Sequence, residues 1–221
     1  MNLSHSELYI YIFSWHKTTE NAIKIYNEVK KYCKNCFLIN CDENFKNNEN
    51  VKNIIHLDNS YYFGGQFQTA IRNIPDNMFF CNIVADMDIN IDWEKLFNNI
   101  IHSFNSYKIG VYSPHDINSA HQRKGIKLEN ELFNVDNTDC TCWFIHPDII
   151  KIIKNIDYYG ISNFGWGIDW IVSLESKKQN LLIIRDYSIQ ITQPNNSTGY
   201  NKDQASQQMH NLVKHYKNFF P

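Results

Sequence analysis

The chain has 221 residues, enough to bury the core of one α/β domain and short for two independent domains. Its 21 lysines and arginines nearly balance 23 aspartates and glutamates, so the net charge is -2 and gives no reason to expect a nucleic-acid partner. Any phosphate group that the protein binds must therefore be met by local groups.

The six cysteines include two close pairs, Cys33 with Cys36 and Cys140 with Cys142, which leave zinc binding or disulfides open. Most of them lie in or beside apolar strand-like runs, and no zinc-finger spacing follows, so we expect reduced thiols. The first seven residues are polar, and no apolar run reaches the ~20 residues that a membrane-spanning helix needs. The sequence therefore predicts a cytoplasmic protein.

Strand-like and helix-like patterns alternate along the first half of the chain. The predicted strands are residues 8–14, 36–41, 53–57, 78–85 and 107–112. The predicted helices are residues 18–34, 64–72 and 93–104. This alternation predicts a mostly parallel sheet that is covered by helices on both faces.

The pattern weakens over residues 114–139, which are polar and show no clear period. We interpret this stretch as one long loop on the acceptor side, where polar side chains either contact an acceptor or are simply solvated. These side chains are His115, Asp116, His121 and Arg123. Regular structure is predicted to resume with strands at 140–145, 181–185 and 188–192 and with helices at 147–156, from Ile168 and from Asp203.

An acidic triplet, Asp86-Met87-Asp88, follows the most apolar predicted strand. Ligands collect outside the carboxyl ends of strands in open α/β sheets, and paired carboxylates there suit a divalent cation bound against a diphosphate. The alternative is that the two acids only end the strand and cap the next helix.

A second motif, Gly165-Trp166-Gly167-Ile168-Asp169-Trp170, combines glycines, aromatic rings and an acid. The glycines permit close backbone approach to a ligand, and Trp166 offers a flat apolar face to a sugar ring. Asp169 falls in the first turn of a predicted helix, where the helix dipole favours a carboxylate that acts as a base. The alternative is a helix-terminal charge flanked by core tryptophans.

Two weaker candidates come earlier in the chain. Asp42 follows the second predicted strand, where a carboxylate can accept hydrogen bonds from a base or ribose, although a turn residue is the alternative. Gly64 and Gly65 would let a helix N-terminus approach phosphate.

Taken in chain order, these predicted strands, helices and motifs resemble those of GT-A glycosyltransferases, especially the inverting enzymes of glycosyltransferase family 2. The matching segments are YYFGGQFQTAIRN, NIVADMD and GWGID, with Asp42 after the second strand, and the resemblance spans residues 9–200. It implies a Rossmann-like three-layer α/β/α sandwich with a mixed, mostly parallel central sheet. It also implies a single domain over residues 1–221, with a nucleotide-sugar half at about 8–112 and an acceptor half at about 113–221.

The resemblance also implies roles for individual residues. Asp42 would bind the base, Asp86 and Asp88 would hold Mn²⁺ or Mg²⁺, and Asp169 would deprotonate the acceptor hydroxyl for inverting attack. The residues expected to line the nucleotide-sugar pocket are Ser14, Asp42, Gly65, Arg72, Asp86, Trp166 and Gly167.

The chain departs from the family pattern at two places. The basic residue usual after the glycine is missing, which leaves Arg72 as the nearest cation, and Gln193 stands where many members supply a late histidine ligand. Because glutamine is a poor metal ligand, the cation would depend mainly on Asp88 and phosphate.

The expected partners are a UDP-, GDP- or dTDP-sugar donor and a glycan, glycoprotein or glycolipid acceptor, with no nucleic acid. Lysines and histidines near Phe219 and Phe220 in the predicted terminal helix leave peripheral membrane contact open. Two alternative functions remain at this point: a nucleotidyltransferase that makes an activated sugar, and a non-catalytic domain that binds a sugar nucleotide.

Overall fold

A nine-stranded mixed sheet forms the centre of the protein. The computed structural model describes residues 3–45, 51–88, 90–119, 121, 123–193 and 200–219. The strands are β1 (Leu8–Ser14), β2 (Cys36–Asn40), β3 (Ile54–His56), β4 (Phe79–Val84), β5 (Ile109–Asp116), β6 (Ile126–Glu129), β7 (Leu132–Asn134), β8 (Cys142–Ile145) and β9 (Leu182–Ile191). The helices are α1 (Thr19–Val29), α2 (Phe63–Asn73), α3 (Trp93–Ser106), α4 (Pro147–Ile153), α5 (Tyr158–Ile161), α6 (Ile168–Lys178) and α7 (Lys202–Phe219).

The strand order across the sheet is β3-β2-β1-β4-β8-β5-β9-β7-β6. The first four of these strands are parallel, and β8 runs against both of its neighbours, β4 and β5. β9 is parallel to β5, and the antiparallel hairpin β6–β7 extends the far edge. The prediction of a mixed, mostly parallel sheet is therefore confirmed.

Helices cover both faces of the sheet, and two adjacent residues of β4 demonstrate this. The ring of Phe79 packs edge-on against Phe104 of α3, with centroids 5.0 Å apart. The next ring, Phe80, packs against Phe67 of α2 on the opposite face, at 5.4 Å. Because successive side chains of a strand point to opposite faces, α2 and α3 enclose the sheet between them. The fold is a three-layer sandwich, as predicted.

The predicted long loop over residues 114–139 is wrong. β5 continues to Asp116, and β6 and β7 form a hairpin that turns through Asn130 at a φ of 42°. Ile126 is 72% exposed and β6 has only 4 residues, so its alternation of apolar and polar residues is too short to identify a strand within a polar stretch.

The two predicted strands at 181–185 and 188–192 are in fact the single strand β9. Arg185 and Asp186 in the middle of β9 are polar and therefore suggest a turn between two strands, but both residues are buried within the strand. Asp186 accepts hydrogen bonds from the Tyr112 hydroxyl and from the Asn99 amide, so its charge is satisfied inside the sheet.

The cysteines are free thiols, and all except Cys140 are fully buried. Burial raises the pKa of the Cys33 thiol to about 11, which makes it an inert core residue at neutral pH. Within the described ranges, no helix combines the length and the apolar character required to cross a bilayer.

Candidate functional site

Three of the predicted site residues meet at the carboxyl edge of neighbouring strands. β1 pairs in parallel with β2 on one side and with β4 on the other. Ser14 is the last residue of β1, whereas Asp42 and Asp86 follow the ends of β2 and β4. Parallel pairing therefore brings these side chains to one edge of the sheet, where open α/β folds bind ligands.

Asp42 is held in a fixed, mostly buried position. Its carboxylate accepts hydrogen bonds from the Thr19 hydroxyl at 2.9 Å and the Asn44 backbone N–H at 3.0 Å, and His16 lies 3.8 Å away. Burial works to raise the pKa of Asp42, but these donors together outweigh it and leave the pKa below its usual value. The site thus presents an ionised acceptor beside β2.

The acidic triplet is anchored through its middle residue. Met87 is buried, Asp86 is half-buried, and Asp88 is exposed. The Asn21 side-chain amide donates to the carbonyls of Ala85 at 2.7 Å and Met87 at 2.9 Å, which fixes the backbone of the turn. Both carboxylates therefore extend from a rigid support, as binding of a charged ligand requires.

Gln193 joins this turn to the end of β9. Its Nε2 donates to both carboxylate oxygens of Asp86 in long bonds of 3.4 Å, while its Oε1 accepts from the Thr141 hydroxyl at 3.1 Å. The backbone N–H of Asp88 donates to the Thr192 carbonyl at 2.9 Å. Gln193 consequently presents a hydrogen-bond donor, not a metal ligand, to Asp86.

The carboxylates fit only a cation that arrives with its own oxygen ligands. Among the described residues, no group of three or more His, Cys, Asp or Glu side chains could hold a metal ion. Asp86 and Asp88 supply hard oxygen ligands, and Mg²⁺ commonly combines one or two carboxylates with phosphate oxygens and water. The donor set therefore suits a cation bound jointly with a diphosphate.

The glycine-tryptophan segment requires its two glycines. Gly165 and Gly167 have φ angles of 85° and 91°, in the left-handed region that other residues seldom adopt. Between them, Trp166 donates from Nε1 to the Tyr200 hydroxyl at 2.7 Å. Burial raises the pKa of Tyr200, while the hydrogen bond from Trp166 acts in the opposite direction. The Trp166 side chain is therefore fixed by Tyr200.

Asp169, at the second position of α6, is paired with His121. Its Oδ2 contacts the Nε2 of His121 at 2.8 Å and accepts from the Asn137 amide at 3.3 Å. The hydrogen bond that His121 donates to Asp169 raises the pKa of His121 above its usual value, because it favours the charged imidazolium. A carboxylate with one oxygen held in this way is a candidate proton acceptor.

A buried arginine supports the residues around Asp169. Arg185 is 1% exposed, and its guanidinium donates to the backbone carbonyls of His121 and, at 3.0 Å, Asn137. The Asp139 carboxylate lies 4.0 Å away and accepts from the Ser119 hydroxyl, while burial raises its pKa. Arg185, Asn137 and Asp139 were missed, because they converge from separate polar stretches that have no motif.

Gly65 and Arg72 occupy different surroundings from those expected. The N–H of Gly64 donates to the Asn163 carbonyl at 2.8 Å, and a Cβ on Gly65 would lie 2.8 Å from a ring carbon of Tyr61. The start of α2 is therefore packed against protein. Arg72 is in the last turn of α2, which runs back between parallel strands, so the structure leaves it at the opposite edge of the sheet.

Of the four polar side chains singled out between residues 114 and 139, only His121 contacts Asp169. Asp116 is buried and accepts from the Thr141 hydroxyl, and His115 packs on the ring of Tyr187 at 4.4 Å. Arg123 is exposed and lies 3.9 Å from Asp136, so it belongs to the solvated surface.

This sheet order and its acid-bearing carboxyl edge define a GT-A-like fold. The structure is similar to that of GalNAc-T7 with UDP, GalNAc and Mn²⁺ at a TM-score of 0.59 and 11% identity, over 95% of this chain and 48% of that one. It is also similar to the inositol-1-phosphate CTP transferase from T. maritima at a TM-score of 0.50 and 9% identity, over 95% and 98%. The sequence matches no protein-family model and no curated protein.

Proposed function

We propose that the protein is a glycosyltransferase that moves a sugar from a nucleoside diphosphate to an acceptor hydroxyl with inversion. One observation carries the proposal: a single segment contacts both candidate halves of the site. Asn137 binds Asp169, and Thr141 binds Gln193, which in turn binds Asp86. Diphosphate-binding and proton-accepting carboxylates thus lie on either side of one short support.

The donor nucleotide would bind along the carboxyl edge. Asp42 would accept hydrogen bonds from the base or ribose, next to Ser14. Asp86 and Asp88 would hold Mn²⁺ or Mg²⁺ against the diphosphate, and the cation would offset the negative charge that develops on the leaving group. GalNAc-T7, which has been solved with UDP and Mn²⁺, supports this choice of ligands.

Asp169 would act as the general base. Among the described residues, the side-chain hydrogen bonds to Asp169 come from His121 and Asn137 and fall on Oδ2, so we assign Oδ1 to the acceptor proton. Trp166 and Gly167, just before α6, would border the donor sugar. As the acceptor oxygen attacks the anomeric carbon in line, the carbon–phosphate oxygen bond breaks and the proton passes to Asp169.

A nucleotidyltransferase is the second candidate, favoured by the likeness to the CTP transferase over nearly the whole of both chains. Against it, β1 is followed by Trp15-His16-Lys17-Thr18 and not by a glycine-rich phosphate loop. The two functions release different products. A glycosyltransferase releases a nucleoside diphosphate from the nucleotide sugar, whereas a nucleotidyltransferase releases pyrophosphate from a nucleoside triphosphate.

A product assay tests the proposal. Purified protein is incubated with UDP-, GDP- and dTDP-sugars and Mn²⁺ or Mg²⁺, with and without simple glycan acceptors, and nucleoside diphosphate release is measured. The proposal predicts release from at least one donor in wild type and little in Asp169→Asn. Pyrophosphate release from a triphosphate and a sugar phosphate would support the second candidate. Binding of a nucleotide sugar without turnover would indicate a non-catalytic domain.

A further inference from the structure

A groove of about 400 Å³ lies between Trp170 of α6 and one face of α7. Its residues come from one position of α6 and one face of α7. They are Trp170, Met209, His210, Val213, Lys214, Lys217 and Asn218.

The floor of the groove is apolar. Trp170 leaves 49% of its surface exposed, an unusual amount for so large a ring, and Met209 and Val213 lie half-buried beside it. A flat aromatic ring with aliphatic neighbours suits the C–H face of a sugar ring, because both surfaces are apolar and planar.

The rim of the groove is basic. Lys214, Lys217 and His210 are exposed along it, and none of the described lining residues is acidic. The Nδ1 of His210 donates to the Ser206 carbonyl at 2.7 Å, so its Nε2 is the ring nitrogen left to a ligand. Since the whole chain has a net charge of -2, this positive rim is a local feature. It favours an anionic ligand.

One residue of the groove, Trp170, is next to the proposed base in the chain. Trp170 follows Asp169 in α6, and its ring centroid lies 6.4 Å from that of His121. His121 in turn contacts Asp169 at 2.8 Å. Trp170 is thus connected through His121 to the proposed base, and this connection is the reason for assigning a sugar on Trp170 to the acceptor.

We infer that this groove binds the acceptor, and that the acceptor is an acidic saccharide bearing carboxylate or phosphate groups. One sugar ring lies on Trp170, and its anionic groups contact Lys214 and Lys217. The assignment of the groove to the acceptor rests on the proposed transferase function. The preference of the groove for anionic saccharides does not depend on that function.

An anionic membrane surface fits the groove less well. A helix that lies on a bilayer turns its apolar face outward. In α7, Ala205, Leu212 and Tyr216 are buried against the body of the protein, and the basic residues face the solvent. The side chains of Phe219 and Phe220, on which the expectation of membrane contact depends, lie outside the part of the chain that the structure describes.

Calorimetric titration with two pairs of probes tests the inference. Trigalacturonic acid is compared with its methyl ester, and mannose 6-phosphate with mannose, so that each neutral partner keeps the sugar rings but lacks the anionic groups. At least one anionic probe should bind roughly tenfold more tightly than its neutral partner, and high salt should weaken it. Equal binding within both pairs, or no binding of any probe, would overturn the inference.

Variants locate the binding. Lys214→Gln/Lys217→Gln should weaken the anionic probe by roughly fivefold to tenfold, and Trp170→Ala should weaken both members of a pair. The control Lys24→Gln/Lys52→Gln removes the same charge from exposed positions outside the groove and should change nothing. Unchanged affinity in the groove variants would refute the assignment. Tighter binding of the protein to phosphatidylserine vesicles than to trigalacturonic acid and mannose 6-phosphate would also refute it.

The same variants separate this inference from the proposed function. If no nucleotide sugar is turned over but the probes bind as described, the anionic saccharide site stands and the transferase fails. If sugar is transferred while Lys214→Gln/Lys217→Gln leaves the acceptor KM unchanged, the transferase stands and the groove assignment fails.

Discussion

His121 Nε2 lies 2.8 Å from the Oδ2 of Asp169, although 48 residues separate them in the chain. The carbonyl of His121 is in turn held by the buried Arg185. One side chain therefore orients the proposed base, and a second fixes the backbone of the first.

Asp169→Asn and His121→Asn should lower turnover without changing nucleotide binding. Loss of the base predicts a decrease of about 10²–10⁴-fold in kcat, and loss of its orienting donor a smaller one. The two effects should be far from additive in the double variant, because both act on one proton transfer. Steady-state kinetics with a nucleotide-binding control checks this. Additive losses would mean that His121 acts independently of Asp169.

The His121 pair should make stability depend on pH. The hydrogen bond to Asp169 raises the folded-state pKa of His121, so its stabilisation is complete below the unfolded value of about 6.5 and is lost as pH rises through the higher folded pKa. The difference in Tm between wild type and His121→Asn should therefore be greatest at low pH and shrink above neutrality. A difference that grows with pH would contradict the assignment.

Arg185→Met should destabilise the protein by about 3–5 kcal/mol. The substitution removes a buried guanidinium and leaves the carbonyls of His121 and Asn137, as well as Asp139, without their cationic partner. Denaturant unfolding measures the loss. Arg123→Met, the same change at an exposed ion pair, serves as the control and should have little effect.

Gln193→His should create a metal site that does not depend on nucleotide. Gln193 now donates to Asp86, whereas an imidazole there would add a nitrogen ligand to the two carboxylates. Mn²⁺ alone should then raise the Tm of the variant but not that of wild type. Gln190→His, at an exposed position of β9 three residues before Gln193, is the matched control. Equal Tm shifts in both variants would exclude a specific ligand role.

The sequence predicted the parallel half of the sheet well, because its strands are continuous apolar runs. β1 and β4 are buried along nearly all of their length, so their letters alone identify them. The edge hairpin β6–β7 gave no such signal, since its strands have only 4 and 3 residues and lie within a polar stretch. β9 was split because its buried Asp186 looks like a turn residue until its partners are known.

The candidate site residues divide in the same way, into those with a local sequence signal and those without one. Asp42, Asp86 and Asp88 remain predicted site residues, and they could be proposed from the sequence because they come directly after recognisable strands. The pairing of His121 with Asp169 and the supporting position of Arg185 depend on tertiary contacts between distant segments, and nothing in the local sequence predicts them. Arg72 illustrates the opposite error: it was selected as the nearest cation along the chain, although a helix of 11 residues carries it away from the carboxyl edge.

Nucleotide binding tests the central claim most directly. We would measure the Tm of three proteins with UDP, GDP and dTDP, each with and without Mn²⁺. The proteins are wild type, Asp88→Asn and the control Asp148→Asn. Asp148 is the control because it lies at the other edge of the sheet. The account predicts that at least one diphosphate raises the Tm in a Mn²⁺-dependent way, and that Asp88→Asn alone abolishes the increase. If no diphosphate stabilised the wild type, or if Asp88→Asn responded as fully as wild type, the carboxyl edge would not be a metal-assisted nucleotide site.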